Sequence, residues 1–189
     1  MIDNSKIALK QKTTITTTDS IVTKSILDNN VRTYKHPSWF DIEDACLKIY
    51  SQMEEDNYRP ECIIGLLRGG IVPGRIFSDY YDIMLDFLAL DVKLYDRIGV
   101  MRDKPEIKAF YGDVKNKKIL IVDDIWDSGK TMKAVLGYLG DEDIATATLY
   151  WKETAKGKPD YYAEVAEENE WVVFPFECQE FRRQVGVKK

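Results

Sequence analysis

Apolar and polar positions along the chain alternate in a way that predicts helices and strands in turn. Ile42, Cys46, Ile49 and Met53 recur at helical spacing with charges between them, which predicts an amphipathic helix over residues 38–55. Ser38, followed three positions later by Asp41, resembles a capping box at its start. Residues 61–67 (ECIIGLL) are a short apolar run suited to a strand covered on both faces. After a turn at Arg68, Gly69 and Gly70, the recurrence of Ile71, Gly74, Phe77, Ser78 and Tyr81 predicts a helix. Pro73 falls in its first turn, where a missing amide hydrogen costs little. Residues 86–95 and 143–151 read as strands. Residues 117–122 (KKILIV) are the clearest buried parallel strand, stopping at Asp123 and Asp124, with a helix over 129–139.

Strand, helix, strand, loop, strand, helix, strand predicts an α/β fold with a doubly wound, mostly parallel sheet flanked by helices. Residues 96–114 are rich in charge and lack a period, which predicts a long mobile loop of the lid type. Residues 152–180 are aromatic-rich and irregular, too short for a domain and suited to a hood. Residues 1–35, with the Thr-rich run KQKTTITTTDS from Lys10 to Ser20, read as a mobile tail or as an edge strand for a subunit contact, and order is expected from about Pro37.

Composition narrows the function classes. The chain has 189 residues, 44% hydrophobic and 31% charged, which are globular proportions for one domain with an appendage. Its net charge of −5 argues against a general nucleic-acid or anionic-membrane binder, which needs basic surface. It leaves room for one phosphorylated small molecule held by helix ends and backbone amides. Cys46, Cys62 and Cys178 are widely spaced and His36 is the only histidine, so zinc-finger and Ser-His or Cys-His readings fall away. The cysteines are expected to be small buried hydrophobes in a reducing compartment. With no apolar leader and no long apolar stretch, a cytoplasmic, soluble protein without a membrane partner is expected.

The chemistry concentrates in the run VDDIWDSGKT from Val122 to Thr131. A buried strand delivers two carboxylates at its C-terminal end, and a loop of small residues then opens a helix. Ligands of open α/β sheets bind beyond such strand ends. Asp127, Ser128, Gly129, Lys130 and Thr131 bring amides, hydroxyls and a lysine to a helix N-terminus, a cradle for phosphate. A Walker A loop would put its first glycine at position 124, where the chain has Asp124. A carboxylate suits the vicinal hydroxyls of a ribose better than a triphosphate.

This run resembles the phosphoribosyl-diphosphate (PRPP) signature of the type I phosphoribosyltransferases. The resemblance extends from about Pro37 to Glu177 and leaves residues 1–35 unexplained. A second matching segment, GLLRGGIVPG from Gly65 to Gly74, is the turn that holds diphosphate in that family. Its glycines let amides approach an anion closely, and Arg68 can pair with one bidentately. The family often carries a non-proline cis peptide here, which would be Leu67–Arg68. The segments YWKE (150–153) and EWVVFPFE (170–177) resemble the base-binding hood of the 6-oxopurine (xanthine-guanine and hypoxanthine) enzymes of bacteria and archaea. The run GKPDYY (157–162) departs from the bacterial pattern.

The resemblance implies residues 36–151 as a PRPP-binding core, 152–180 as the base-binding hood and 181–189 as a tail. It implies a purine-salvage enzyme moving the 5-phosphoribosyl group from PRPP to guanine, xanthine or hypoxanthine. Arg68, Gly69 and Gly70 would stabilise the departing diphosphate. Asp123 and Asp124 would hold the ribose hydroxyls or a Mg²⁺ cofactor, directly or through water. The loop from Asp127 to Thr131 would grip the 5-phosphate. Asp127, with Arg68 the expected catalytic pair, would stand near purine N7 as general base or proton relay. Lys152 would donate to O6, Trp171 stack on the purine, and the Val172 backbone read its edge. Arg97, Arg102 and Lys104 are the cations available in the 96–114 segment. A homo-oligomer, dimer or tetramer, is implied, with no nucleic-acid partner. Transfer to another base, a PRPP- or nucleotide-responsive regulator and a catalytically silent subunit of the same fold stay open as alternatives.

Overall fold

The computed structural model describes residues 13–16, 21–27, 30–81, 85–97, 100–110, 112, 114–140 and 143–184. Its elements are β1 (Thr13–Thr16), β2 (Ile21–Leu27), β3 (Asn30–His36), α1 (Trp39–Glu55), β4 (Cys62–Leu67), α2 (Ile71–Tyr80), β5 (Asp86–Arg97), β6 (Val100–Phe110), β7 (Lys118–Trp126), α3 (Lys130–Leu139), β8 (Asp143–Lys152), β9 (Tyr161–Ala166), β10 (Glu170–Val172) and α4 (Cys178–Gln184). The main sheet runs β6-β5-β4-β7-β8-β9 and is parallel except for β6 at its edge. A smaller sheet runs β1-β2-β3-β10.

The pleat's period of two explains the layers. Ile63 of β4 and Leu120 and Val122 of β7 pack with Ile42, Ile49 and Phe77 from α1 and α2. Their neighbours Cys62, Ile64, Ile119 and Ile121 pack on the other face with Met132 and Val135 of α3. Each such fully buried side chain contributes about 1.5–3 kcal/mol. The same burial pushes the Cys46 thiol up to about 12 and that of Cys62 up to about 11, so both stay protonated and unreactive. Cys178 is only half-buried. The expected capping box is present: Ser38 Oγ accepts the Asp41 amide at 3.2 Å, and Asp41 Oδ2 accepts the Ser38 amide at 2.6 Å. Connections leave β4 toward β5 and leave β7 toward β8, so strand order reverses between β4 and β7. The crevice beyond their C-terminal ends is the ligand position of such sheets. Among the described residues no helix is long and apolar enough to cross a membrane.

Four expectations are corrected. The segment 96–114 is not a loop, because Val100–Phe110 forms β6, paired antiparallel with β5. Register shifts near Val92, Lys93, Tyr95 and Arg97 break the alternation that would have revealed it. β7 does not stop at the paired aspartates: Ile125 and Trp126 continue its pairing with Tyr150 and Trp151. Residues 152–180 are not irregular throughout, since β9 extends the main sheet while β10 pairs parallel with β3. Order therefore begins before Pro37, and β3 is tied to the hood through its pairing with β10. Residues 1–12, which include the start of the Thr-rich run, and 185–189 of the tail lie outside the described residues.

Candidate active site

A cavity of about 570 Å³ opens at the C-terminal ends of β4, β7 and β8, with β10 and α4 along one side. Its first wall is the turn after β4, where the Leu67–Arg68 peptide is cis, as the resemblance implied. A Cβ on Gly69 would lie 1.9 Å from Asp124 Oδ2, and one on Gly70 would lie 2.0 Å from the Val122 carbonyl oxygen. The glycines thus let the turn press against β7. Gly69 lines the cavity, whereas Gly70 does not and acts by packing. The Arg68 side chain, 75% exposed, pairs with Glu180 of α4.

β7 supplies the second wall. Adjacent strand residues point to opposite faces, so Asp123 and Asp124 diverge to either side of the strand and both reach the cavity. Asp123 Oδ1 accepts the Asp124 amide at 3.0 Å. Burial, with a smaller push from Glu177, raises Asp123 up to about 7. Asp124 is held well above the usual carboxylate range by burial, then by Asp123 and Glu177. Glu177 is itself raised by burial and by Glu180, with Arg68 opposing. Such clustered carboxylates call for a cation or for hydroxyl donors. Among the described residues no group of three or more His, Cys, Asp or Glu side chains is arranged to hold a metal by itself. Two carboxylates do fit Mg²⁺, which usually takes one or two protein carboxylates and completes its shell with substrate oxygens and water.

The loop into α3 is the third element. Gly129 has φ +77°, and its Cβ would lie 2.0 Å from the Lys156 carbonyl oxygen, so only glycine fits both the turn and the approach of the hood. Lys156 donates its amide to Ser128 O at 3.3 Å, and Trp126 Nε1 donates to Lys156 O at 3.2 Å, docking loop to hood. Asp127, Ser128, Gly129 and Thr131 line the cavity beside the first amides of α3, an anion-binding arrangement. Lys130, the first residue of α3, is exposed and lies outside the lining.

The fourth wall joins distant residues. Lys152, 8% exposed, places Nζ 2.7 Å from Asp127 Oδ1 and donates to Glu168 O at 3.3 Å. Trp171 is half-buried and Val172 buried; both line the cavity from β10, whose pairing with Tyr34 and Lys35 of β3 fixes their position. The structure thus brings together Arg68, Gly69, Asp123, Asp124, Asp127, Ser128, Gly129, Thr131, Lys152, Trp171 and Val172. The sequence reading missed Glu177, Glu180, Lys93, Lys108 and Thr148, which also line it. Thr148 alone carried a signal, as a hydroxyl inside an apolar strand. The side chains of Arg97, Arg102 and Lys104 lie outside the described residues. Lys108 is the member of the 96–114 segment seen at the cavity.

Comparison with known proteins agrees with this geometry. A family model described as the phosphoribosyl transferase domain matches residues 34–180. The xanthine-guanine phosphoribosyltransferase of Cereibacter sphaeroides is 29% identical over 154 residues, 75% of this chain and 86% of that protein. The crystal structure of a purine phosphoribosyltransferase from Pyrococcus horikoshii is 33% identical, with a TM-score of 0.64 over 76% of this chain and 93% of its own. A Helicobacter pylori xanthine-guanine-hypoxanthine phosphoribosyltransferase is 25% identical, with a TM-score of 0.64 over 80% and 99%. The matched span runs from β3 through the strand-end turns and the hood to Glu180, and on that ground the chain belongs to the phosphoribosyltransferase family.

Proposed function

We propose that the protein transfers the 5-phosphoribosyl group of PRPP to a 6-oxopurine, giving the nucleoside monophosphate and diphosphate. The observation that carries this reading is the Lys152–Asp127 pair at 2.7 Å inside the cavity. It presents a cationic donor beside an anionic acceptor. A 6-oxopurine carries O6 and N7 side by side on one edge, so an N7–H tautomer matches both groups at once. Adenine puts an amino donor against Lys152 and mismatches it. The names of the relatives, which specify xanthine, guanine and hypoxanthine, support the same class.

In this mechanism the first amides of α3 and the loop from Asp127 to Thr131 hold the 5-phosphate. Arg68 and the Gly69 amide face the diphosphate, and diphosphate binding exchanges Glu180 for phosphate oxygens at the guanidinium. Asp123 and Asp124 orient the ribose hydroxyls and are the residues that would hold Mg²⁺, directly or through water. When bound, the ion supplies neutralisation of the diphosphate charge. The C1′–O bond breaks through an oxocarbenium-like state, its electrons leaving with diphosphate. The new bond forms from C1′ to the purine nitrogen, and the N7 proton passes to Asp127. Trp171 stacks on the base, adding affinity with little selectivity.

The direct test is incubation with PRPP, Mg²⁺ and single bases, with nucleotide and diphosphate measured. Product with guanine, xanthine or hypoxanthine is expected; product only with adenine or a pyrimidine, or with none, would overturn the reading. Lys152→Ala should weaken oxopurine affinity about 10- to 100-fold, the worth of one charge-assisted hydrogen bond, and leave PRPP affinity unchanged. Unchanged purine affinity would remove Lys152 from base recognition.

A further inference from the structure

Thr148 on β8 is 1% exposed, lines the cavity and has a buried Oγ1 with no hydrogen-bond partner among the described residues. Two residues earlier on the same strand, Thr146 shows the usual arrangement: its Oγ1 donates to Asp160 Oδ2 at 2.7 Å and accepts the Asp160 amide at 3.1 Å. Buried hydroxyls are nearly always paired, because lost hydration is otherwise uncompensated. A threonine kept unpaired beside a substrate cavity therefore points to an acceptor that it meets during the working cycle.

The sheet register identifies that acceptor. Thr148 is the Cα partner of Asp123 on β7. Adjacent strands lie about 4.8 Å apart, so side chains of partnered residues on one face are neighbours. Both belong to the α3 face. On β7, Ile119 and Ile121, which share parity with Asp123, pack with Met132 and Val135 of α3. On β8, Ile144, which shares parity with Thr148, packs against the same cluster. Asp123 is turned toward the Asp124 amide, and a carboxylate has capacity for further donors.

The geometry points to Thr148 as a positioning residue for Asp123. As that carboxylate turns to the ribose hydroxyls of PRPP, the Thr148 hydroxyl donates to it and fixes the plane in which it meets the sugar. Thr148 itself does not touch the substrate. The inference rests on the phosphoribosyl-transfer reading and adds a residue that none of the assigned roles includes.

Calorimetric titration of the full chain with PRPP and Mg²⁺ tests it, on wild type, Thr148→Val and Thr148→Ser, with KM for guanine measured alongside. Thr148→Val keeps the shape and removes the donor. It should weaken PRPP binding about tenfold, as loss of one hydrogen bond to a charged group does, without changing KM for guanine. Its Tm should stay level or rise, because a methyl replaces a hydroxyl that is unpaired in the free protein. Thr148→Ser keeps the donor and should bind PRPP like wild type. PRPP affinity unchanged in Thr148→Val overturns the inference, and so does a Thr148→Ser as weak as Thr148→Val, which would assign the effect to packing of the methyl. Wild-type protein that takes up no PRPP would instead sink the phosphoribosyl-transfer reading itself.

Discussion

Replacing Asp127 by asparagine should lower kcat by about 10²–10⁴-fold, the usual worth of a positioned general base, and change PRPP affinity by less than about threefold. Asparagine keeps the shape of the side chain and its place at the end of β7 but cannot take up a proton. In the proposed reaction the purine must lose its N7 proton as the bond to C1′ forms, and Asp127 is the carboxylate that Lys152 holds at 2.7 Å beside the base position. The substitution also leaves the Lys152 ammonium without its counter-charge. Because Asp127 keeps 28% of its side chain exposed, the stability cost should be about 2 kcal/mol, below that of a fully enclosed pair. Turnover must therefore be compared well below the variant's Tm. Equal losses in kcat and in PRPP affinity would place Asp127 at the 5-phosphate as a helix-capping residue and remove it from proton transfer.

The parts of this site that are contiguous in the chain are the parts that the sequence makes legible. Residues 119–122 are covered on both faces, so they form an unbroken apolar run, and the carboxylates and small residues behind it can only stand at the strand's far end. α1 announces itself through a local capping box and a clean helical period. β6 is hidden because its sequence is rich in charge, as suits an edge strand, and because its pairing with β5 is irregular in register. The pairing of Thr33 with Glu170 joins opposite ends of the chain, and no local pattern carries that information. Lys152 meeting Asp127 has the same character: the residue types suggested roles for each, but their ion pair comes from β7 and β8 lying side by side. Glu177, Glu180 and Lys108 read as ordinary surface charges until the fold turns them toward one cavity. Lys130 differs again: its charge recommended it for phosphate, whereas in the fold it is exposed and lies outside the cavity lining.

Gly70→Ala should be strongly destabilising, whereas Gly137→Ala should stabilise. The backbone at Gly70, φ −71° and ψ −11°, is open to any residue, so conformation is not what demands glycine there. Space is. An added Cβ would stand 2.0 Å from Val122 O and 2.7 Å from Leu66 N, both backbone atoms of central strands with no flexible end to yield. Relief requires the turn to lift off β7, at a cost of about 3 kcal/mol, the upper part of the overpacking range. For a chain of this size that lowers Tm by roughly 6–12 °C. The lift would also carry Arg68 and Gly69 away from Asp124, so PRPP affinity should fall with stability. Gly137 lies exposed within α3, and its Cβ would meet nothing within 4 Å. Alanine there restricts the unfolded chain and favours the helix, gaining about 0.5–1 kcal/mol with PRPP affinity untouched. Thermal unfolding of the two variants separates crowding from conformational freedom. A Gly70→Ala protein that melts like wild type would mean that the turn does not press on β7, and the diphosphate wall built on that contact would have to be redrawn.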